Sequence, residues 1–226
     1  MEPVTTRRVS RRWPAIGGGI AIGVAALVGL LVVLRESPLE LDAEWMEEVI
    51  EHRSPYWEVP AMLMDRLGGG LVGVLVVPIA IVVGLLIARR RWAALFSVLA
   101  AVLSAGVVQL LKNLFGRARP EDILVMADFG SFPSGHVANA ATVAATFVLV
   151  FGLRRERWWL WMLGAAWIVA MALSRTYLGA HWVTDTVGGA LVGVAVAVIV
   201  WGPFAARIEA EASPGRGIGA RAAARE

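Results

Sequence analysis

Long apolar runs, separated by short polar breaks, make up most of this chain. Six of them are close to the length needed to cross a bilayer, which is about 20 apolar residues for a helix. The pattern predicts an all-α membrane protein with six transmembrane helices, at residues 13–34, 71–88, 92–111, 137–153, 158–173 and 182–204.

The longest polar interruption, residues 35–67, is predicted to lie outside the membrane. Within it, the Glu-rich stretch Leu39–Arg53 carries four apolar residues at helical spacing: Trp45, Met46, Val49 and Ile50. Such spacing is typical of an amphipathic helix that lies on the membrane surface or caps a helix bundle. Ser54 and Pro55 are predicted to end this helix, and Gly68–Gly70 marks the start of the next span.

Arginine clusters predict the orientation of the chain. They lie in the N-terminal segment, in the turns at 89–91 and 154–157, and in the C-terminal tail. In a six-span chain these four places fall on one side, which the positive-inside rule identifies as cytoplasmic. We therefore expect a cytoplasmic segment at 1–12, a membrane domain at 13–204 and a flexible cytoplasmic tail at 205–226, with the protein in the inner, or plasma, membrane.

Composition supports this class and narrows the range of partners. Of the 226 residues, 58% are hydrophobic and only 17% are charged, whereas about a quarter are charged in soluble domains. The lack of cysteine excludes disulfides and thiolate metal sites. The net charge of +3 comes with juxtamembrane arginines, so membrane lipids are expected as partners and nucleic acid is not. The oligomeric state is left open.

The polar chemistry of the chain is concentrated in residues 112–185. It falls in three short runs, Lys112–Pro120, Pro133–His136 and Ser174–Asp185. The residues between the second and third runs, 137–173, suffice for two membrane crossings of about 20 residues each. The third run therefore returns to the face that the second run left, and we expect all three runs to meet on the extracytoplasmic surface.

The residue types in these runs indicate a phosphate site. Phosphate is the natural complement of a cation cluster, because arginine offers forked donors and lysine a point charge. Ser134 and Gly135 are predicted to begin a helix, where free backbone N–H groups and the positive end of the dipole favour phosphate. The cations of the first and third runs are Lys112, which is the only lysine among the 21 basic residues, Arg117, Arg119 and Arg175.

Two of the three histidines lie in the same runs and supply the reactive groups. His181 and Asp185 are four residues apart and are predicted to share one helical face. A carboxylate bound to one imidazole nitrogen fixes the tautomer and leaves the other nitrogen free to attack. His136, on another helix, is placed to protonate the leaving oxygen. This pattern favours phosphoryl transfer through a phosphohistidine.

The acidic residues of the site region do not predict a metal centre. A His–Asp pair can bind a metal ion, but no further ligand set completes a site, so no metal and no cofactor is predicted. The carboxylates of the loop after the first run are interpreted as solvated charges: Glu121, Asp122 and Asp128. His52 is likewise interpreted as a solvated residue of the amphipathic helix.

Three polar residues keep alternative interpretations. Arg117 contacts phosphate, pairs with Asp122 or faces water. Gln109 and Asn139 lie one turn inside predicted helices, where they either support the site or serve helix packing.

The three runs resemble the signature of the type 2 phosphatidic acid phosphatase superfamily. That signature is Lys, six residues, Arg-Pro; then Pro-Ser-Gly-His; then Ser-Arg, five residues, His, three residues, Asp. Every position is matched here, by Lys112, Arg119 and Pro120; Pro133, Ser134, Gly135 and His136; and Ser174, Arg175, His181 and Asp185.

This resemblance implies a role for each matched residue. His181 is similar to the family's nucleophile, Asp185 to its orienting partner and His136 to the general acid. The phosphate-binding set implied by the resemblance is Lys112, Arg119, Ser134, Gly135 and Arg175. Supporting positions are Pro120, Pro133, Ser174 and Arg117. The membrane phosphatases of this family need no metal ion, and the haloperoxidase branch is disfavoured because its members are larger and soluble.

The expected function is hydrolysis of a lipid phosphate or diphosphate. Bacterial members of this size commonly act on undecaprenyl diphosphate, which is the favoured substrate here, or on phosphatidic acid or phosphatidylglycerol phosphate. A non-catalytic lipid-binding protein is the alternative of another class, although such relatives typically lose the histidines or the lysine. A transporter is disfavoured because the centres of the predicted spans carry no charge.

Overall fold

The computed structural model describes residues 12–35, 37–153 and 155–212. Within these ranges the regular structure is entirely helical, as predicted. A π-helical segment, Val72–Val76, leads directly into α4, and a 3-10 turn, Arg155–Arg157, precedes α7. The helices in chain order are α1 (Arg12–Val33), α2 (Glu40–Glu51), α3 (Pro55–Gly68), α4 (Val77–Ile87), α5 (Arg91–Phe115), α6 (Gly135–Phe151), α7 (Trp158–Tyr177) and α8 (Val183–Ala212). Residues 1–11 of the predicted N-terminal segment 1–12 and residues 213–226 of the predicted tail 205–226 lie outside the described residues.

Several of these helices are suited to a membrane. Four of them, α1, α5, α7 and α8, are long and apolar enough to cross it, and α3 with residues 72–87 forms a fifth candidate that is bent by 45°. The apolar helix α6 has 17 residues and is shorter than the other candidates. The chain is thus a multi-pass membrane protein, with four or five spans by length and composition in the part that the structure describes.

Helix α3 was not anticipated by the sequence pattern. The expected amphipathic helix over Leu39–Arg53 corresponds to α2, but a second helix follows almost at once. Pro55, interpreted above as the end of one helix, is the first residue of the next, where its missing N–H and fixed φ are favourable. The buried face of α3 contacts α7, where the Ser174 hydroxyl donates to the carbonyl of Ala61 at 2.8 Å.

The break between α3 and α4 has an identifiable cause. Gly70 adopts a left-handed conformation with φ of +56°, and the π-helical segment follows. The Asn139 amide of α6 donates to the carbonyls of Gly68 at 3.1 Å and Gly73 at 2.9 Å. Backbone acceptors at the break are therefore satisfied from α6, which assigns Asn139 to helix packing beside the site.

The core lies where α8 packs against α5 and α6. A Cβ atom at Gly189 would lie 2.5 Å from the carbonyl oxygen of Ser134, and one at Gly193 would lie 2.3 Å from that of Ala138. These two glycines therefore allow α6 and α8 to approach closely. Because Gly189 contacts Ser134, the second polar run is held directly against α8, the helix that also contains Asp185 at the end of the third run.

Helix α8 continues to Ala212, beyond its predicted end at Phe204. Residues 205–212, predicted to begin a flexible tail, are helical, and Ile208 is buried. The Glu211 carboxylate accepts from the backbone N–H groups of Trp92 at 2.9 Å and Ala93 at 3.4 Å. It thereby satisfies donors that the first turn of α5 leaves free, which explains why the polar end of α8 stays ordered against the bundle.

Candidate active site

Lys112 lies in the last turns of α5, which ends at Phe115. Its side chain is buried, and the Nζ atom donates to the carbonyl of Gly130 at 2.8 Å and to the Asp128 carboxylate at 3.1 Å. Gly116, with φ of +55°, ends the helix and turns the chain toward the arginines of the first run. The lysine charge is thus fixed on a helix while the arginines follow on a loop.

Arg119 is held by several carbonyls and faces His181. Its Nη1 donates to the carbonyl of Ala180 at 2.5 Å, and its Nη2 donates to that of Gly130 at 2.9 Å. The same Nη1 lies 3.3 Å from Nε2 of His181. A guanidinium beside this imidazole nitrogen is suited to hold oxygens of a phosphoryl group attached there.

Asp128 is exposed as expected, with 61% of its side chain accessible, but it pairs with two cations instead of standing free in the loop. Its Oδ1 accepts from Lys112 Nζ and, at 2.6 Å, from Arg119 Nη2. Partial burial alone would raise the pKa of the Asp128 carboxyl, but the charges of Lys112 and Arg119 hold that pKa below its usual value. The Asp128 carboxylate therefore pairs with the two cations to which the sequence assigns phosphate binding. Asp122 has a backbone role, since its carbonyl accepts from Arg53 at 2.8 Å.

The second run begins α6 as expected. Ser134 precedes the helix, Gly135 is its first residue, and the Ser134 N–H donates to the carbonyl of Asp185 at 2.9 Å. Pro133 is buried and follows a cis peptide bond. The Ser134 hydroxyl is fully buried and has no hydrogen-bond partner among the described residues. Such a group costs about 1–3 kcal/mol when left unpaired, so it is suited to a ligand.

His136 and Arg175 share one carboxylate, that of Asp65 in α3. Asp65 Oδ1 lies 3.1 Å from Nε2 of His136 and also accepts from Nη1 of Arg175. Gly69 packs edge-on against the same imidazole, since a Cβ there would lie 2.1 Å from Nε2. The end of α3 therefore sets the position of the predicted general acid.

His181 and Asp185 meet, but not on a helical face as predicted. His181 lies in the turn before α8, which begins at Val183. Its Nδ1 is 3.5 Å from Oδ2 of Asp185, an ion-pair distance longer than a normal hydrogen bond. The same Oδ2 accepts from the Trp182 N–H at 2.9 Å. The turn therefore aims the carboxylate at one ring nitrogen and leaves Nε2 toward Arg119.

The environment of His181 keeps its imidazole neutral. Burial lowers the pKa of His181 to about 4, opposed by Asp185 and assisted by the nearby charges of Arg175 and Arg119. A neutral imidazole retains the lone pair that a nucleophile needs. The site is therefore set up for attack by nitrogen at neutral pH.

Arg117 neither pairs with Asp122 nor faces water. It is buried and bridges two carboxylates, donating from Nη1 to Asp185 Oδ1 at 2.5 Å and from Nη2 to Asp42 Oδ2 at 2.7 Å. It also donates to the Thr184 hydroxyl at 2.8 Å. Its charge is engaged by two carboxylates, and one of them, Asp185, also faces His181.

Sequence reasoning missed two carboxylates of the site, which lie outside residues 112–185. Asp42 is buried with Met46 and Val49 on one face of α2, so the same helical spacing that predicted the helix also marked this residue. Asp65 had no comparable signal, because it lies in a helix that was not predicted. His52, in contrast, is exposed as expected, with Nδ1 beside Glu48.

The remaining predicted residues serve as supports or line a cavity. Pro120 is buried at the end of the first run. A cavity of about 770 Å³ connects the site to a groove between the π–α4 segment and α5, and Gln109 lies on its wall. Its polar end contains Lys112, Arg119, Gly135, His136, Arg175 and His181, and its apolar wall includes Val74, Pro78, Val82, Val98, Ala101 and Ala105.

Only one group of side chains in the described ranges could hold a metal ion, namely Glu48, Glu51 and His52. All three are exposed on α2 or just beyond its end, and none belongs to the site.

Comparisons with known proteins match the region that carries the three runs. A profile described as the PAP2 superfamily matches residues 90–208, more than half of the chain. Phosphatidylglycerophosphatase B of Bacillus subtilis is 31% identical over 133 residues, which are 55% of this chain and 66% of that protein. An undecaprenyl-diphosphatase of Sulfolobus acidocaldarius is 38% identical over 63 residues, or 28% of each chain. The chain thus spans less than two thirds of the length of these curated relatives.

The solved structures include one of similar architecture. It is the crystal structure of a transmembrane PAP2 type phosphatidylglycerolphosphate phosphatase from Bacillus subtilis, with a TM-score of 0.71 and 25% sequence identity. The similarity covers 81% of this chain and 94% of that one. It extends beyond the matched profile to helices on the N-terminal side of the three runs.

Proposed function

The chain belongs to the PAP2 superfamily, and from this premise we propose that it is an integral membrane phosphatase that hydrolyses a lipid phosphate or diphosphate through a phosphohistidine. The observation that carries the proposal is the shared geometry of one cavity: a buried neutral imidazole, a cation cluster and a second histidine at the end of an apolar groove. Apart from water and the substrate, the side chains and backbone of this chain supply every group that the proposed reaction uses.

The first half-reaction forms a bond between Nε2 of His181 and phosphorus. The bond from phosphorus to the lipid or leaving-phosphate oxygen breaks, and His136 gives that oxygen a proton. Asp185 stabilises the positive charge that develops on the His181 ring. In the second half-reaction His136 takes a proton from water, the water oxygen attacks phosphorus, and the bond to Nε2 breaks to release phosphate.

The cations hold the equatorial oxygens during both steps. Arg119 lies beside the attacking nitrogen, and Lys112 and Arg175 lie in the same cavity. The Ser134 hydroxyl, which has no hydrogen-bond partner in the described part of the chain, adds a donor, as do the first N–H groups of α6. Donors fixed in a buried site stabilise transition-state charge without reorganisation. Substrate phosphate replaces Asp128 on Lys112 and Arg119, because it carries more charge and more acceptor oxygens.

The groove favours a lipid over a soluble phosphate. The wall that runs from Val74 to Val83 is apolar. At the rise per residue of a helix, its length is roughly 13 Å. We place undecaprenyl diphosphate first among the substrates, with phosphatidic acid and phosphatidylglycerol phosphate as alternatives. One compared relative is named for a prenyl diphosphate and another for a phosphatidylglycerol phosphate, which supports testing both classes.

A substrate panel tests this proposal. Purified protein in detergent should release phosphate from prenyl diphosphates and diacylglycerol phosphates with a higher kcat/KM than from sugar phosphates of equal charge. The rank order among the lipids assigns the substrate. A preference for the soluble phosphates would overturn the lipid assignment, and failure on every phosphate would overturn the enzymatic one.

We further propose six crossings, with α3, the π segment and α4 forming one broken span and α6 forming a short one. This proposal moves residues 55–67, which the sequence pattern placed outside the membrane, into the outer part of the second crossing. Both termini are then cytoplasmic, and the site opens on the extracytoplasmic face, in accord with the arginine clusters. Because the chain has no cysteine, single cysteines report sidedness directly. Cysteine at exposed Met126 should react with an impermeant thiol reagent in intact cells, and cysteine at Arg90 only after lysis. The reverse result would invert the topology.

A further inference from the structure

Asp42, in helix α2, belongs to the hydrogen-bond network behind His181, the proposed nucleophile. We propose that Asp42, acting through Arg117, is a positioning residue that holds Asp185 in line with His181. The inference rests on the proposed function, since it concerns the same nucleophile. It concerns a part of the chain that precedes the region matched by the family profile, residues 90–208.

The contacts form a continuous chain from α2 to the imidazole. Asp42 Oδ2 accepts from Arg117 Nη2 at 2.7 Å, and Arg117 Nη1 donates to Asp185 Oδ1 at 2.5 Å. The other oxygen of Asp185, Oδ2, faces Nδ1 of His181. Arg117 therefore determines which way the Asp185 carboxylate turns, and Asp42 determines where Arg117 lies.

Asp42 also holds the first turn of α8. Its Oδ1 accepts from the Thr184 N–H at 2.9 Å, and its Oδ2 accepts from the Thr184 hydroxyl at 2.6 Å. This contact is a helix cap supplied by another helix, because a free N–H at the start of α8 receives a carboxylate partner. Asp185 is the next residue in that turn, so one side chain fixes both its backbone and its carboxylate partner.

Burial makes this arrangement sensitive to the loss of one charge. Asp42 and Asp185 are fully buried, and Arg117 is 8% exposed. One guanidinium shared by two buried carboxylates leaves a net negative charge that can stabilise an imidazolium. Without Asp42 the full positive charge of Arg117 would act on Asp185, and its stabilisation of charge on His181 would weaken.

A pair of matched substitutions in α2 tests the proposal. Asp42→Asn keeps the shape of the side chain but removes its charge. Met46→Ala, which also removes a buried side chain from α2, loosens packing without touching the network. Phosphoenzyme formation should be slowed by on the order of 10²-fold in Asp42→Asn, as expected for a misplaced reacting group, with KM changed by less than about twofold, whereas Met46→Ala should retain the rate of the parent protein.

The pH dependence of phosphoenzyme formation separates positioning from packing. The charges that bear on His181 are those of Asp185, Arg119 and Arg175. With Asp42 neutral, Arg117 offsets more of the Asp185 charge, so protonation of His181 becomes harder. The acid limb of the profile should therefore move to lower pH in Asp42→Asn and stay in place in Met46→Ala.

Other outcomes decide against the proposal. A normal rate in folded Asp42→Asn would overturn it, as would an equal loss in Met46→Ala, which would assign α2 to packing alone. If Asp42→Asn does not fold, Arg117→Lys takes its place. Lysine keeps the charge but lacks the fork that bridges two carboxylates, and it should show the same loss of rate at unchanged KM. Failure of the parent protein to form a phosphoenzyme would instead reject the proposed function.

Discussion

At the scale of single residues, the two site histidines differ in their surroundings. His181 is buried with a carboxylate on one nitrogen and an arginine on the other, whereas His136 is partly exposed to the cavity beside Asp65. These surroundings suit different tasks, because a nucleophile must be neutral while a general acid must carry a proton. The family pattern implied this division of labour, and the contacts give it a physical basis.

Substitution of each histidine should separate the two roles. His181→Ala should abolish phosphoenzyme trapped from labelled lipid phosphate or nitrophenyl phosphate. His136→Ala should lower turnover of alkyl phosphates by about 10²–10⁴-fold, but much less for nitrophenyl phosphate, whose leaving group departs with little protonation. Phosphoenzyme that persists in His181→Ala would contradict the assignment, and its loss only in His136→Ala would exchange the two roles.

The protonation state of His181 can be measured directly, because the chain has only three histidines. Burial disfavours the charged ring and lowers the pKa of His181 to about 4, so the ring should stay neutral at pH 5.5, where an ordinary histidine with a pKa near 6.5 is mostly protonated. Labelled-histidine NMR in detergent should show this, with the His181 signal identified by its loss in His181→Ala. A midpoint above pH 6 would contradict the effect of burial.

At the scale of helices, the sequence predicted the apolar elements well and the polar ones less well. Apolar periodicity and arginine turns located α1, α5 and α7 to within a few residues. Helix α3 was missed because Pro55 and Gly68 are both residues that typically interrupt a helix. The contacts of this segment with α7 and Asn139, which stabilise it as a helix, are not visible in the sequence. The end of α8 was missed because Glu211 is typical of a solvated tail in sequence, whereas in the structure its carboxylate accepts from the backbone of α5.

The site residues divide in the same way. Spacing alone identified the three runs and brought them to one place, since motif positions and span lengths are local properties of the chain. The partners of Arg117 and Asp128 could not be predicted, because they depend on how α2 and the loop fold over the site. Asp42 is buried, Asp65 partly buried and Asp128 exposed, and each pairs with at least one cation of the three runs.

The break after α3 should be essential for the position of His136. Gly69→Ala would place a Cβ 2.1 Å from Nε2 of the imidazole and displace the ring. A misplacement of about 1 Å can cost on the order of 10²-fold in rate, so turnover of alkyl phosphates should fall by about that factor while phosphoenzyme from nitrophenyl phosphate still forms.

Gly84→Ala is the matched control for this substitution. Gly84 lies in α4, and a Cβ there meets nothing within 4 Å, so activity should be unchanged. Equal losses in both variants would show that general effects of glycine replacement, and not contact with His136, are responsible.

At the scale of the whole molecule, the bundle joins a charged site to an apolar groove that is open between the π–α4 segment and α5. If the proposed function holds, chemistry and specificity are separated, because the cations would recognise any phosphate while the groove would recognise what is attached to it. A soluble phosphate would use only the polar end of the cavity. A lipid substrate would also place its first methylenes along the wall that includes Ala101 and Ala105.

Filling the groove should therefore impair lipid substrates selectively. In Ala105→Phe a ring would occupy space along the α5 wall, and steric overlap of this kind costs about 1–3 kcal/mol, or roughly 5–150-fold. The kcat/KM for prenyl and diacylglycerol phosphates should fall by such a factor, whereas that for nitrophenyl phosphate should stay within about twofold.

The control is Ala166→Phe, at an exposed position of α7 that does not line the cavity. Equal losses for lipid and soluble substrates in Ala105→Phe would mean that the ring disturbs the catalytic end itself. An unaffected lipid rate would mean that the tail leaves the site by another route, and the groove would then have no part in substrate recognition.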